Sequence, residues 1–323
     1  MKIAFLCLLL VLFPQSPNEG KFNEDFNEAK DHYERGKFEE AVSQFSALSR
    51  SFPDNPELRL WLGKSYLKTR KWDRAVKEME EAVRLNPSDA HLHLWLGRAC
   101  GAQAEHSIFF RAIGRARRVL REFEKARDLA PQDLDIRFDL LEFYIAAPGI
   151  VGGGKDKAEA EAKVIAYLNP EMGYIARATI FEKAEKWELA KKELLQATLD
   201  FPDYANAYKD LAYFLLGRKD YEGALSYSQK ALELDGKSKL SRLVMAAAKT
   251  QMRRDLQGAE SSLQELASSR LTDDDPTFEE VYYWLGKCYL AQGDRAKAYE
   301  ALKTALAFNP DYDPAKKEIS ELR

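Results

Sequence analysis

Trp61-Leu62-Gly63 recurs thirty-four residues later as Trp95-Leu96-Gly97, and again near the end as Trp284-Leu285-Gly286. A fixed period of this length means stacked supersecondary units, each too small to bury its own apolar face, so that neighbours must complete the core. The segment 56–89 carries the pattern in full, with Tyr66, Ala75, Ala82 and Pro87 following Gly63 at offsets that other segments reproduce. Small residues at the eighth and twentieth positions of a unit let two helices approach closely. A late proline ends the second helix and starts the next connection.

The period resolves the chain into eight units: 22–55, 56–89, 90–133, 134–172, 171–204, 205–238, 239–275 and 279–312. The twentieth position is Ala in seven of them, with Val119 the exception. Three units depart from the norm. The third holds extra residues from Glu105 to Arg121 and a lengthened second helix, so Phe123, Ala126 and Pro131 fall late. The fourth has an excess at Pro148–Lys155, and the seventh ends in a longer polar loop, Arg270–Pro276. Segment 313–323 alternates charge around Ile319 and Leu322 and reads as a cap over the last apolar face.

These residues at this spacing resemble the tetratricopeptide repeat (TPR). The resemblance implies an all-α, right-handed solenoid of about eight helix-turn-helix units over 18–323. It also implies a non-enzymatic scaffold that binds a peptide or protein segment in its concave groove. The first helix of each unit would line that groove through positions two, five, nine and twelve. Position nine reads Lys30, Lys64, Arg98 and then Glu142. The three cations form a ladder suited to the carboxylates of an acidic partner. Phe26, Tyr33, Leu60, Leu67, Leu94 and His91 would form the walls. The chain departs from the carboxylate clamp of chaperone-binding members, which wants Asn where Trp61 stands and Arg where Trp95 stands.

A second surface lies in the inserted segment. Phe109, Phe110, Arg111, Arg115 and Arg118 belong to a basic, partly apolar stretch, which as an alternative could dock on an anionic membrane surface. Over the whole chain 49 basic residues face 52 acidic ones, a balance that gives no pull toward nucleic acid. Residues 1–17 hold one lysine, an apolar run Ile3–Phe13 and then Pro14. This fits a signal peptide and export, as to a bacterial periplasm, with an uncleaved inner-membrane anchor as the rival.

Chemistry-bearing motifs are few. Gly149-Ile-Val-Gly-Gly-Gly-Lys155 matches the phosphate-loop spacing, but Asp156 replaces the magnesium-binding hydroxyl and would repel phosphate. The better reading is a long flexible turn, with Asp156 capping a helix from Lys157. Four scattered histidines and the cysteines Cys7, Cys100 and Cys288 have no metal-ligand spacing, so no metal, cofactor or catalytic residue is expected.

Overall fold

The computed structural model describes residues 17–106 and 109–322, with the side chains of 17–19 and 109–111 left aside. Residues 1–16 of the expected signal peptide, 1–17, lie outside the described residues. Seventeen α-helices and one short 3₁₀ turn, and no strand, make up the described chain. They run as hairpins: α1 (Pro17–Glu34) with α2 (Phe38–Ser51), α3 (Pro56–Lys68) with α4 (Trp72–Leu85), α5 (Ala90–Glu105) with α6 (Phe109–Leu129), and α7 (Leu134–Ala146) with α8 (Lys155–Leu168). The second half continues with α9 (Pro170–Lys183) and α10 (Trp187–Asp200), α11 (Ala205–Gly217) and α12 (Tyr221–Leu234), α13 (Lys239–Gln251) and α14 (Leu256–Ser268), and α15 (Phe278–Gln292) and α16 (Arg295–Phe308). A single helix, α17 (Asp313–Leu322), ends the array.

Local chemistry sets the helix starts. Asn55, Asp89, Asp133 and Asn169 each accept from a backbone N–H in the first turn of the helix that follows. Thr277 and Glu280 form a capping box at the start of α15. Within a hairpin the connection is tighter. The N–H of Lys71 bonds to the carbonyl of Tyr66, as Lys37 does to His32 and Asp294 to Tyr289. This closure needs a left-handed residue just before it. Gly36 and Gly293 supply it freely, whereas Arg70, Glu185, Lys219 and Arg253 adopt positive φ at a conformational cost.

The small positions do what their spacing requires. Ala41, Ala75, Ala190, Ala224 and Ala298 are fully buried. A Cβ at Gly63 would stand 2.8 Å from Met79 of the facing helix, and one at Gly286 would stand 2.7 Å from Leu302. The inserted unit becomes one long helix, α6, held on the solenoid by the buried His93–Glu122 pair (2.9 Å) and by Arg118–Glu80 (2.6 Å). The cap α17 buries Ala315 and packs Ile319 and Leu322 on Leu302 and Ala305.

Two sequence readings need correction. The glycine-rich turn is pinned rather than flexible. Val151 is buried, Arg117 donates to the Ile150 carbonyl and Lys157 to that of Gly152. Helix α8 begins at Lys155 with Gly154 before it, so Asp156 sits inside the first turn and is not the cap. The Lys155 ammonium is exposed and pairs with Glu159.

The superhelix also brings its two ends together. Phe38 packs edge-on against Phe278 (6.3 Å) and Phe308 (6.1 Å), joining the N-terminal core to the C-terminal one. Arg70 bonds to Asn309 and Asp311. Gly36 lies against this seam, since a Cβ there would come within 2.9 Å of Phe308 and 3.0 Å of Phe278. Gly36→Ala therefore adds left-handed strain to overpacking and should cost about 2–4 kcal/mol. Glu185→Gly, at the same turn position away from the seam, should change stability by less than about 1 kcal/mol. Urea denaturation of both variants checks this, and equal effects would contradict it.

Candidate functional site

The first helices of the early repeats face inward, and their side chains build a cavity of about 300 Å³ lined by Lys30, Tyr33, Trp61, His91, Leu94, Trp95, Arg98 and Asp135. Thr272, Asp273 and Asp274 of the loop after α14 close its remaining wall. That loop reaches the N-terminal repeats because the superhelix returns to them. A second space, about 420 Å³, lies on the other side of the same loop, with Leu67, Lys68, Trp72 and His106 among its walls.

Lys64 stands beside these cavities, beneath the loop. Its ammonium lies 4.1 Å from the Trp61 ring centroid and 4.3 Å from that of Trp95, a favourable seat for a cation. Asp273 meets it at 2.6 Å, and Lys68 approaches the same carboxylate at 4.0 Å. The Tyr33 hydroxyl donates to Asp273 at 2.8 Å. Lys64 is only 7% exposed, so it is not the solvent-facing rung that its helix position implies. Burial pulls its pKa down, and Asp273 opposes that shift. Burial alone would raise the Asp273 carboxyl, but Lys64, Lys68 and Tyr33 together hold it below its ordinary value.

The other rungs are also engaged. Arg98 forms a two-pronged contact with Asp139, 2.6 and 3.1 Å, and stacks on Trp95 at 4.7 Å. Lys30 lies 3.7 Å from Glu34 and is the most exposed of the three. His91 sits at the cavity rim, 3.3 Å from Asp133. Of the expected walls, Tyr33, Leu94 and His91 line the smaller cavity and Leu67 the larger. Phe26 and Leu60 instead pack on the N-terminal core, Phe26 edge-on to Phe45 at 5.7 Å. Sequence reasoning missed Asp273 and the inward use of Trp61 and Trp95. The signals were a lone Leu271 in a polar loop and tryptophans one helical turn from the cations.

Beyond Arg98 the concave face changes sign. Asp139, Glu142, Glu182 and Asp210 follow one another on α7, α9 and α11, and burial raises the pKa of each. Asp210 is pushed up to about 6, with Lys209 as the opposing charge. Tyr213 of α11 donates across the groove to Glu280 of α15 at 2.9 Å.

In the insertion, Arg115 donates to the Gln103 carbonyl at 3.0 Å and Arg118 pairs with Glu80. Two of the basic residues expected on a docking face are thus turned onto the solenoid. The side chains of Phe109, Phe110 and Arg111 lie outside the described residues. No described helix is long and apolar enough to cross a membrane. Cys100 and Cys288 are buried free thiols, and burial pushes Cys100 up to about 11.

Family profiles described as tetratricopeptide repeat match residues 32–99 and 252–317 in one case and 175–239 in another. The paired helices, small-residue contacts and repeat period agree with them, and the chain belongs to the tetratricopeptide repeat family. Proteins of this family are in general protein-interaction scaffolds and typically not enzymes. Comparison with curated proteins finds no match. Among solved structures, the yeast Tom70 crystal structure is similar over 98% of this chain, at 16% identity and a TM-score of 0.63. This chain spans 65% of the length of that one. A thermophilic TPR protein from Thermus thermophilus is similar over 70% of this chain and 98% of its own, at 18% identity and a TM-score of 0.42. At 16% identity the Tom70 likeness is one of fold.

Two pH dependences follow. The stability that Asp273 contributes is present at neutral pH and is lost as pH falls through about 4 and below, because its folded-state pKa is depressed. Asp273→Asn should cost about 1–3 kcal/mol at pH 7, and that cost should shrink as pH falls below about 4. Asp210 has the opposite sign: with its folded-state pKa raised, its contribution is lost as pH rises from about 4 through about 6. Asp210→Asn should therefore gain stability relative to the natural chain over that interval. Denaturation midpoints across pH 3–8 measure both, and pH-independent differences would contradict the assignment.

Proposed function

We propose that the chain is a non-catalytic scaffold whose concave groove, at the first three repeats, receives an acidic peptide segment of a partner protein. The observation that carries this reading is the seat built by Trp61, Trp95, Lys64 and Lys68, which already holds one carboxylate in good geometry. Aromatic faces on either side of a buried ammonium select an anion that can replace water there. Lys30 and His91 extend the same surface toward the open rim. The leader-like residues 1–17 support export, and the cell envelope is the proposed place of action.

The test uses Lys30→Glu with Lys68→Glu, since both side chains are part-exposed and their reversal spares the buried ammonium. Exposed charges contribute little to stability, so the array should remain folded. The natural chain and this variant are compared in affinity capture from an envelope extract. An acidic partner held at least about tenfold less well by the variant is the expected result, equivalent to about 1.4 kcal/mol. Equal retention by both would remove the groove from the account.

A further inference from the structure

The loop between α14 and α15 does more than connect them. It lies across the groove, and Tyr33, Thr272 and Asp273 are walls of both cavities, so the loop is the partition between two parts of one channel. Its contacts are those of a bound peptide. Leu271, the sole large apolar side chain from Ser269 to Asp275, anchors the loop's base in the core of its own repeats, with Leu243, Leu263 and Phe278, and leaves its backbone N–H free to reach α1. The Leu271 N–H donates at 2.6 Å to the carbonyl of Glu34, the last residue of α1. Arg270 pairs with Asp31 at 2.5 Å, and Asp273 fills the seat over Lys64. The loop is held from its own side by Lys239, which bonds to the Arg270 carbonyl and to Asp275.

We infer that this loop is a resident occupant of the groove, which a partner segment must displace, and that the partner carries the chemistry the loop presents there: an extended acidic stretch whose aspartate takes the place of Asp273, with a basic residue three positions before it. This rests on the reading of the groove as an acid-binding surface and adds both its ligand pattern and its control. Charge complementarity fixes the register. The aspartate meets Lys64 and Lys68, and the backbone N–H two positions before it meets the Glu34 carbonyl at the end of α1. Peptide recognition that combines one backbone hydrogen bond and two paired charges is modest in affinity, so covalent attachment of the loop gives it the advantage of high effective concentration. A free segment then binds only when the loop is loosened or when further contacts in the two cavities outweigh it.

The experiment uses a fluorescent peptide of residues 268–277, Ser-Ser-Arg-Leu-Thr-Asp-Asp-Asp-Pro-Thr, titrated into the full chain and followed by anisotropy. The natural chain should bind it weakly. An Arg270→Ala, Asp273→Asn variant with unchanged helical circular dichroism should bind at least tenfold more tightly, and a peptide with Asn at the position of Asp273 should lose that gain. Should the double variant lose its fold, Asp275→Ala serves instead. It releases the contacts to Lys239 and Thr272 without touching the seat, and should raise affinity by a smaller factor. Equal binding by natural and loosened chains, or binding indifferent to the Asn change, would overturn the inference. If an unrelated acidic peptide bound both chains equally and lost its hold on the Lys30→Glu, Lys68→Glu variant, the groove reading would stand and the occlusion would fall. Absence of any binding to a folded, loosened chain would remove both.

Discussion

The structure depends on a cation that cannot stay unpaired. Lys64 sits among Tyr33, Trp61 and Trp95 with little access to water, and an isolated ammonium in such a place would be strongly destabilising. Its counter-charge comes from Asp273, more than two hundred residues away in sequence. Solenoids are held mainly by nearest-neighbour contacts. Here a non-neighbour contact is added, and it forces the last repeats to sit against the first. The Phe38, Phe278 and Phe308 cluster and the Arg70–Asp311 pair complete the seam.

That closure divides the concave face into two electrostatic halves. Repeats one to three present cations seated on aromatic rings, and repeats four to six present carboxylates raised by burial. Arg98 and Asp139 pair where the halves meet. The near-zero net charge of the whole chain conceals this local polarity. A scaffold that shields its positive half with its own acidic loop also limits non-specific capture of anions, since any ligand must outcompete an attached segment.

Much of the fold could be read from the period alone. Ala41, Ala75 and Ala298 sit where two helices touch, and the late prolines precede capped helix starts, because these are short-range requirements repeated in every unit. The glycine-rich turn was misjudged because its anchoring comes from Arg117 and Lys157, which spacing does not connect to it. The candidate site was half legible. Position nine pointed to Lys30, Lys64 and Arg98, and the structure brings two of them to one cavity with Lys64 beside it. That Lys64 is buried and already paired depends on the superhelical pitch summed over six repeats, a quantity no local pattern encodes.

The most direct measurement of this account is hydrogen exchange at the Leu271 amide. A polar interhelical loop ordinarily exchanges without protection, whereas this amide donates to Glu34 across the seam. The account predicts slow exchange at Leu271 in the natural chain and fast exchange once Lys64→Met removes the partner of Asp273. An unprotected Leu271 in the natural chain, with α13 and α15 still protected, would contradict it.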